Sequence, residues 1–169
     1  MKEIARLLNG MMKSGVITNY ALFGALAQVR YTEPVATLDA DVLVAVPRPD
    51  RIDVLDPIYE FCRQKGYMPE GEAIRVGDWP LQFVPVYNPL VLEAMERADQ
   101  VEFEGEPFRV VRADYLATIA LQSGRAKDMA RILALIESGS VRPGEIEALA
   151  SSHGLQNAWH RFRSRFIDE

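Results

Sequence analysis

Two aspartates separated by one residue, Asp39 and Asp41, stand at the start of a short apolar run over residues 40–46. On a β-strand, residues i and i+2 project from the same face, so the sequence predicts two carboxylates side by side. Like charges at that spacing repel each other unless a cation or a basic group lies between them. The pair therefore indicates a metal site, although a polar strand entrance without any metal would use the same two residues.

The composition indicates which metal such a site would take. The chain has one cysteine and two histidines, which leaves few ligands for zinc or other transition metals. Carboxylate oxygens instead suit Mg²⁺ or Mn²⁺. We therefore expect Mg²⁺, or Mn²⁺, as the cofactor.

A glycine, Gly24, precedes the aspartates in a segment of otherwise good helix formers. A glycine inside a helix costs about 1 kcal/mol relative to alanine, so its presence indicates a close approach to another group. If Gly24 instead begins a helix, the backbone N–H groups there could hold phosphate oxygens. Tight packing of the helix against a sheet is the alternative explanation.

Together these residues resemble the nucleotidyltransferase superfamily with the DNA polymerase β-type fold. Its members carry Gly-Ser or Gly-Gly on a helix, then about a dozen residues, then Asp-x-Asp at a strand start, with a third carboxylate on the neighbouring strand. The matching residues are Gly24, Ala25, Asp39 and Asp41. Residues 123–132 are similar to the Arg-x-Lys-Asp helix of a small bacterial branch that includes the AbiEii-type toxins. The resemblance covers roughly residues 1–138 and implies that Gly24 and Ala25 bind the nucleotide.

The resemblance also implies a reaction. Asp39 and Asp41 would hold one or two Mg²⁺ ions that neutralise a nucleoside triphosphate and align an attacking hydroxyl. Arg125 and Lys127 would contact the triphosphate, since arginine binds phosphate through two donors and lysine as a point charge. Asp128 would orient Lys127 or cap the helix. A solvated face beside a helix start is the alternative for these three charged residues.

Several positions depart from the family pattern. Ala25 replaces the usual serine or glycine, and Gln82 occupies the catalytic position of the third carboxylate. A glutamine can coordinate through its carbonyl oxygen but cannot act as a general base. Gln122 replaces an expected lysine, and Arg131 stands where the toxins have a second aspartate. Asp78 could supply the missing charge, but four residues along a strand span roughly 13 Å.

The sequence thus predicts an enzyme that transfers a nucleoside monophosphate from a nucleoside triphosphate to a hydroxyl of an RNA, a protein or a small molecule. Two alternatives stay open, and Gln82 is the reason for the first of them. One is a catalytically impaired nucleotide-binding or regulatory module, and the other is an interaction protein of the toxin–antitoxin type. A homodimer is also left open.

The elements that position these residues follow from the apolar spacing. Helices are predicted over residues 2–13, 19–31, 51–65 and 89–98, and strands over 40–46, 73–76, 80–86, 101–103 and 108–111. Helices follow from residue 113 onward, with breaks near residues 123–124, 138–140 and 154. The predicted class is α+β, with a mixed four- to five-stranded sheet in a nucleotidyltransferase-like core over residues 1–112. A helical C-terminal part over residues 113–169 is expected to pack on that core.

Length and charge exclude other classes. The chain has 169 residues and a net charge of −5, and no apolar run approaches the roughly 20 residues of a membrane span. Residues 1–111 carry 11 basic and 17 acidic side chains, against 8 and 7 in residues 112–169, so neither part predicts a broad nucleic-acid surface. The N-terminus lacks an apolar signal region, and we expect the cytosol. A single cysteine, Cys62, excludes an internal disulfide.

Two further features could contact a ligand. Trp79, Tyr87 and Tyr31 could each stack on a base, although packing in the core or at its rim is more common. Residues 160–166 interleave three arginines with two phenylalanines and could contact RNA or an acidic partner. Complementing a helix dipole is the simpler role for these arginines.

Overall fold

A computed structural model describes residues 1–33 and 40–168. Asp39 lies outside the described residues. The described part contains a seven-stranded mixed sheet and the helices that flank it. In chain order the elements are α1 (Lys2–Ser14), β1 (Asn19–Phe23), α2 (Gly24–Gln28), β2 (Ala40–Ala45), α3 (Asp56–Gln64), β3 (Pro69–Glu70), β4 (Ala73–Val76), β5 (Trp79–Pro85), α4 (Pro89–Glu96), β6 (Asp99–Phe103), β7 (Glu106–Val110), α5 (Ala113–Ser123), α6 (Ala126–Glu137), α7 (Pro143–Ser152) and α8 (Gln156–Phe166).

The strand order is β3-β4-β5-β2-β1-β7-β6. Strand β2 pairs antiparallel with β1 and parallel with β5, and β1 pairs parallel with β7. The outer pairs β3–β4, β4–β5 and β6–β7 are antiparallel. The predicted α+β class with a mixed sheet is therefore confirmed, with seven strands instead of four or five.

The prediction of a helix over residues 19–31 is wrong in its first part. Residues 19–23 form β1, which lies inside the sheet between β2 and β7. Tyr20, Ala21 and Leu22 are all buried. A strand covered on both faces is apolar without alternation, and such a run cannot be distinguished from a buried helix by its spacing. The short helix α2 follows it, from Gly24 to Gln28.

Most of the other elements lie close to their predicted positions. The β4–β5 hairpin turns at Gly77-Asp78, as predicted, and Asn88 caps α4 by accepting a hydrogen bond from the backbone N–H of Val91 at 2.8 Å. Helix α3 begins at Asp56 instead of residue 51, with Pro57 in its first turn, where a missing N–H costs nothing. The two-residue strand β3 was not predicted.

The sheet is covered on both faces. On one face, the Tyr20 hydroxyl donates to Oδ1 of Asn9 in α1 at 2.9 Å, and Tyr59 of α3 packs edge-on against Phe83 of β5. On the other face lies α5, nearly all of whose residues are buried and which contacts α4, α6 and α7. Because α5 is packed against both parts of the chain, the division at residue 112 stays a prediction. In the described residues, no helix is both long enough and apolar enough to cross a bilayer.

Candidate active site

A row of three residues crosses the centre of the sheet where β1 ends and β2 begins. Phe23 of β1 pairs with Asp41 of β2, and Asp41 pairs with Gln82 of β5. Paired residues on neighbouring strands project from the same face, and the strands lie about 4.8 Å apart. The structure therefore sets Gln82 directly beside Asp41, where the resemblance has a third carboxylate.

Gly24 follows this row and is the residue that allows the chain to pass close to Asp41. Its φ is +67°, in the left-handed region that favours glycine. A Cβ atom at this position would lie 2.8 Å from Oδ2 of Asp41. Gly24 thus has the close approach that its place in the sequence indicates, and it begins α2 instead of lying inside a longer helix.

A cleft of about 780 Å³ opens between this row and helices α5 and α6. Seven of the eight predicted site residues line it, and the eighth, Asp39, lies outside the described residues. These seven are Gly24, Ala25, Asp41, Gln82, Arg125, Lys127 and Asp128. A second cavity of about 720 Å³ lies along α3 and the β3–β4 hairpin, and Gln82 is the predicted residue that it contains. The first cleft is therefore the candidate site.

Opposite Asp41, helix α6 presents a group of charged residues around Asp128. The side chain of Asp128 is 1% exposed and accepts hydrogen bonds from Nε of Arg125 at 2.7 Å and from Nη1 of Arg131 at 3.4 Å. Among the described residues, Asp128 thus contacts the two arginines and not Lys127, and it lies in the first turn of α6, where a carboxylate complements the helix dipole. Position 128 faces the two arginines one turn away on either side, whereas Lys127 is exposed and lines the cleft.

The pKa values of these groups reflect their enclosure. Burial alone would raise the pKa of Asp128, but hydrogen bonds from Arg125 and Ser123 and the charges of both arginines outweigh it, so the pKa is lowered. Burial lowers the pKa of Arg131, against the opposing effect of the Asp128 carboxylate and, at longer range, of Asp41. The hydrogen bond to Asp128 raises the pKa of Arg125. The shifts at Asp128 and Arg125 therefore favour the charged forms, whereas burial opposes the charge of Arg131.

Arg131 and Gln28 line the cleft but were not predicted as site residues. Arg131 was noted only as a departure from the family pattern, and Gln28 was not considered. Nε of Arg131 donates to Oε1 of the buried Gln28 at 3.0 Å, which connects α6 to α2 across 103 positions of the chain. A contact this distant in sequence has no local signal.

Of the other residues that the sequence suggested, some line the cleft and others lie outside it. Tyr87 lines the cleft and is 57% exposed. The Tyr31 hydroxyl instead donates to the backbone oxygen of Val111 at 2.9 Å. Gln122 lies outside the cleft lining and accepts a hydrogen bond from Nδ2 of Asn88 at 2.7 Å. Asp78 lies in the β4–β5 turn, away from the cleft.

Two solved structures superpose on this chain over nearly its whole length. A crystal structure of an antigenic nucleotidyltransferase-like protein from Paracoccidioides brasiliensis superposes with a TM-score of 0.65 at 16% identity, over 99% of this chain and 88% of that one. The chain has a nucleotidyltransferase-like fold. The solution structure of the antibiotic-resistance factor ANT(2'')-Ia superposes with a TM-score of 0.54 at 14% identity, over 96% of this chain and 95% of that one. No protein-family model matches the sequence, and no curated protein matches it. At these identities the likeness concerns the fold alone.

Proposed function

We propose that this protein is a nucleotidyltransferase that binds a nucleoside triphosphate with Mg²⁺ and transfers the nucleoside monophosphate to a hydroxyl acceptor. One observation carries the proposal. Residues 24, 25, 41, 82, 125, 127 and 128 were selected by their motifs from four separate segments, and they line a single cleft in a nucleotidyltransferase-like fold.

The β-sheet side of the cleft supplies oxygen ligands. Asp41 offers a carboxylate and Gln82 an amide carbonyl, and Mg²⁺ in proteins takes one or two carboxylates together with phosphate oxygens of the substrate. Within the described residues, no group of three or more histidine, cysteine, aspartate or glutamate side chains could hold a metal. The proposed site therefore requires Asp39 and the nucleotide as further ligands. When bound, Mg²⁺ supplies charge neutralisation of the phosphates and Lewis acidity at the α-phosphoryl group.

The α6 side supplies positive charge for the phosphates. Arg125 is 60% exposed, and Asp128 fixes its Nε edge so that its outer N–H groups are presented in a defined direction. Lys127 lies beside it on the cleft surface. Donors fixed in advance stabilise a charged phosphate without reorganising when the reaction occurs. Asp128 is in this view a positioning residue, because it acts through Arg125.

For the acceptor, the proposal specifies only the reacting group, which is a hydroxyl. Gln82 has no basic oxygen, so the proton of the attacking hydroxyl would pass to a carboxylate on β2 or to solvent. An RNA, a protein or a small molecule could each carry that hydroxyl. The link to AbiEii-type toxins and a homodimeric state both stay predictions.

Titration calorimetry with ATP, GTP, CTP and UTP, each with and without Mg²⁺, tests the proposal. We expect one of the nucleotides to bind the wild type in a Mg²⁺-dependent manner. Asp41→Asn removes a charge-assisted ligand worth roughly 1.5–3 kcal/mol, so it is expected to weaken that binding about 10- to 100-fold. The matched control is Asp78→Asn, which removes the same charge from an exposed turn outside the cleft and leaves the affinity unchanged.

Transfer is measured as incorporation of α-labelled nucleotide into protein, RNA and small-molecule hydroxyl acceptors. Mg²⁺-dependent binding that is equal in the wild type and in Asp41→Asn would refute the assignment of the site. Absence of nucleotide binding with every base would refute the proposed function itself.

A second function is favoured by the position of Gln82. Because this neutral residue stands directly beside Asp41, the protein could bind nucleotide without transferring it and act as a regulatory module. Gln82→Glu separates the two functions. If the wild type binds nucleotide without transfer and the variant gains transfer, the regulatory function is supported.

A further inference from the structure

The guanidinium of Arg131 is the most enclosed cation of the cleft. Its side chain is 16% exposed, compared with 60% for Arg125. Two of its nitrogens are fixed, Nε by Oε1 of Gln28 at 3.0 Å and Nη1 by Oδ1 of Asp128 at 3.4 Å. Gln28 is itself anchored, because its Nε2 donates to Oγ1 of Thr32 at 3.3 Å. The plane of the guanidinium is therefore set by contacts from two helices.

The third nitrogen, Nη2, belongs to a side chain that lines the cleft. Among the described residues, none accepts a hydrogen bond from it. The buried side-chain nitrogens and oxygens that lack a partner in the described part of the chain are Nε of Arg109 and Nε1 of Trp159. Nη2 of Arg131 is not among them, and the Arg131 side chain is 16% exposed and lines the cleft. Its remaining N–H groups are thus available to a ligand there.

The local charge indicates the sign of that ligand. The single negative charge of Asp128 is shared between Arg125 and Arg131. With Lys127 and Asp41, the described side chains of the cleft that carry a charge at neutral pH are three cations and two anions. Keeping an arginine largely out of water is unfavourable unless an anion compensates it. Burial already lowers the pKa of this guanidinium, in agreement with incomplete compensation.

We propose that Arg131 binds a phosphate group of the nucleotide through Nη2, on the inner side of Arg125 and Lys127. This inference rests on the proposed function, and it assigns a substrate-binding role to a residue that departs from the family pattern. Planar guanidinium donors match the spacing of phosphate oxygens, so arginine is suited to this contact. Gln28 and Asp128 are positioning residues for it.

A purely structural role for Arg131 makes a different prediction. If the residue only ties α6 to α2 through Gln28, removing either partner of that hydrogen bond would have the same effect. If Arg131 binds phosphate, removing its guanidinium would strongly reduce affinity for a polyphosphate, whereas removing Gln28 would reduce it only in part, because the guanidinium is still present. Inorganic tripolyphosphate and pyrophosphate are suitable probes, since they need no knowledge of the base.

The experiment measures binding of both probes, and of the preferred Mg²⁺-nucleotide, by calorimetry to five proteins. These are the wild type, Arg131→Gln, Arg131→Lys, Gln28→Ala and Arg161→Gln. The last variant removes an exposed arginine of α8, outside the cleft, and controls for net charge. Thermal unfolding of each variant reports whether it is folded, and Arg131→Lys keeps a charge beside Asp128 if Arg131→Gln unfolds.

Loss of one charge-assisted contact predicts that Arg131→Gln binds tripolyphosphate roughly 10- to 100-fold more weakly, with Arg131→Lys intermediate. Gln28→Ala is expected to lose less affinity than Arg131→Gln, because the guanidinium and its charge remain, and Arg161→Gln is expected to stay near the wild-type affinity. Equal affinity of the wild type and both Arg131 variants overturns the inference, and it leaves the proposed function standing if the nucleotide still binds. A comparable loss in Gln28→Ala and Arg131→Gln also overturns it, in favour of a structural connection. Arg131-dependent binding of tripolyphosphate without binding of any nucleotide supports the phosphate contact and refutes the proposed function.

Discussion

Replacing Gly24 by alanine tests whether the close approach of the Gly24 backbone to the Asp41 side chain is needed for nucleotide binding. At φ +67° any other residue pays a conformational cost of about 1–2 kcal/mol. The new Cβ would also lie 2.8 Å from Oδ2 of Asp41, which is too close for a carbon–oxygen contact. Because Oδ2 is the end of a side chain, the carboxylate can rotate away. We therefore expect the contact to affect the orientation of Asp41 more than the stability of the fold.

Gly71 provides a matched control, because its φ is +64° and no atom lies within 4 Å of an added Cβ. Gly71→Ala and Gly24→Ala are expected to lose similar stability, about 1–2 kcal/mol, which lowers Tm by roughly 2–8 °C in a chain of this size. Only Gly24→Ala is expected to weaken Mg²⁺-nucleotide binding, by about 10-fold or more if one charge-assisted ligand is displaced.

Differential scanning calorimetry gives the stability of both variants, and titration calorimetry gives their nucleotide affinity. If Gly24→Ala and Gly71→Ala bind nucleotide equally well, the close approach of Gly24 has no functional meaning. If Gly24→Ala is no less stable than the wild type, the backbone conformation at this position differs from that described above.

Two further predictions concern buried ionisable groups. Asp128→Asn leaves Arg125 and Arg131 without their shared carboxylate and is expected to reduce the free energy of unfolding by roughly 1–3 kcal/mol, as measured by urea unfolding. Because the pKa of Asp128 is lowered in the folded state, this contribution is present above the ordinary aspartate pKa and is lost as pH falls through the folded value. A difference from wild type that persists in strong acid would contradict that origin. Cys62 is fully buried, and burial raises the pKa of its thiol to about 11, so a thiol reagent at pH 8 is expected to label unfolded but not native protein. Rapid labelling under native conditions would contradict its burial.

The part of the site that depends on local pattern could be predicted from the sequence. The apolar run after Asp41 predicts β2, and the strand around Gln82 follows from its own alternation, with Leu81 and Phe83 buried and Gln82 less so. The hairpin at Gly77-Asp78 then sets the register of β5. These local signals, with the resemblance, led to the expectation that Gln82 stands on the strand beside Asp41.

The parts that depend on tertiary packing could not be predicted in the same way. Strand β1 is buried on both faces, so it lacks the alternation that would distinguish it from a helix. The burial of Asp128, which is 1% exposed, depends on which side of α6 meets α5, and that is a property of the packed structure, whereas its arginine partners lie one helical turn away. The hydrogen bond of Arg131 to Gln28 joins residues that lie 103 positions apart.

The net charge of −5 does not exclude a phosphate ligand, because the charge of the whole chain and the charge of the cleft act over different distances. At physiological ionic strength the Debye length is about 8 Å, so acidic side chains elsewhere on the surface repel a bound phosphate only weakly. Within the cleft, Asp128 is 1% exposed between two arginines, so its charge is directed to them and not to a ligand. The α6 wall therefore presents positive charge to the cleft even though the chain is acidic, and it faces Asp41 on the opposite wall. A ligand that carries both phosphate groups and a bound cation matches this division of charge better than a free anion does.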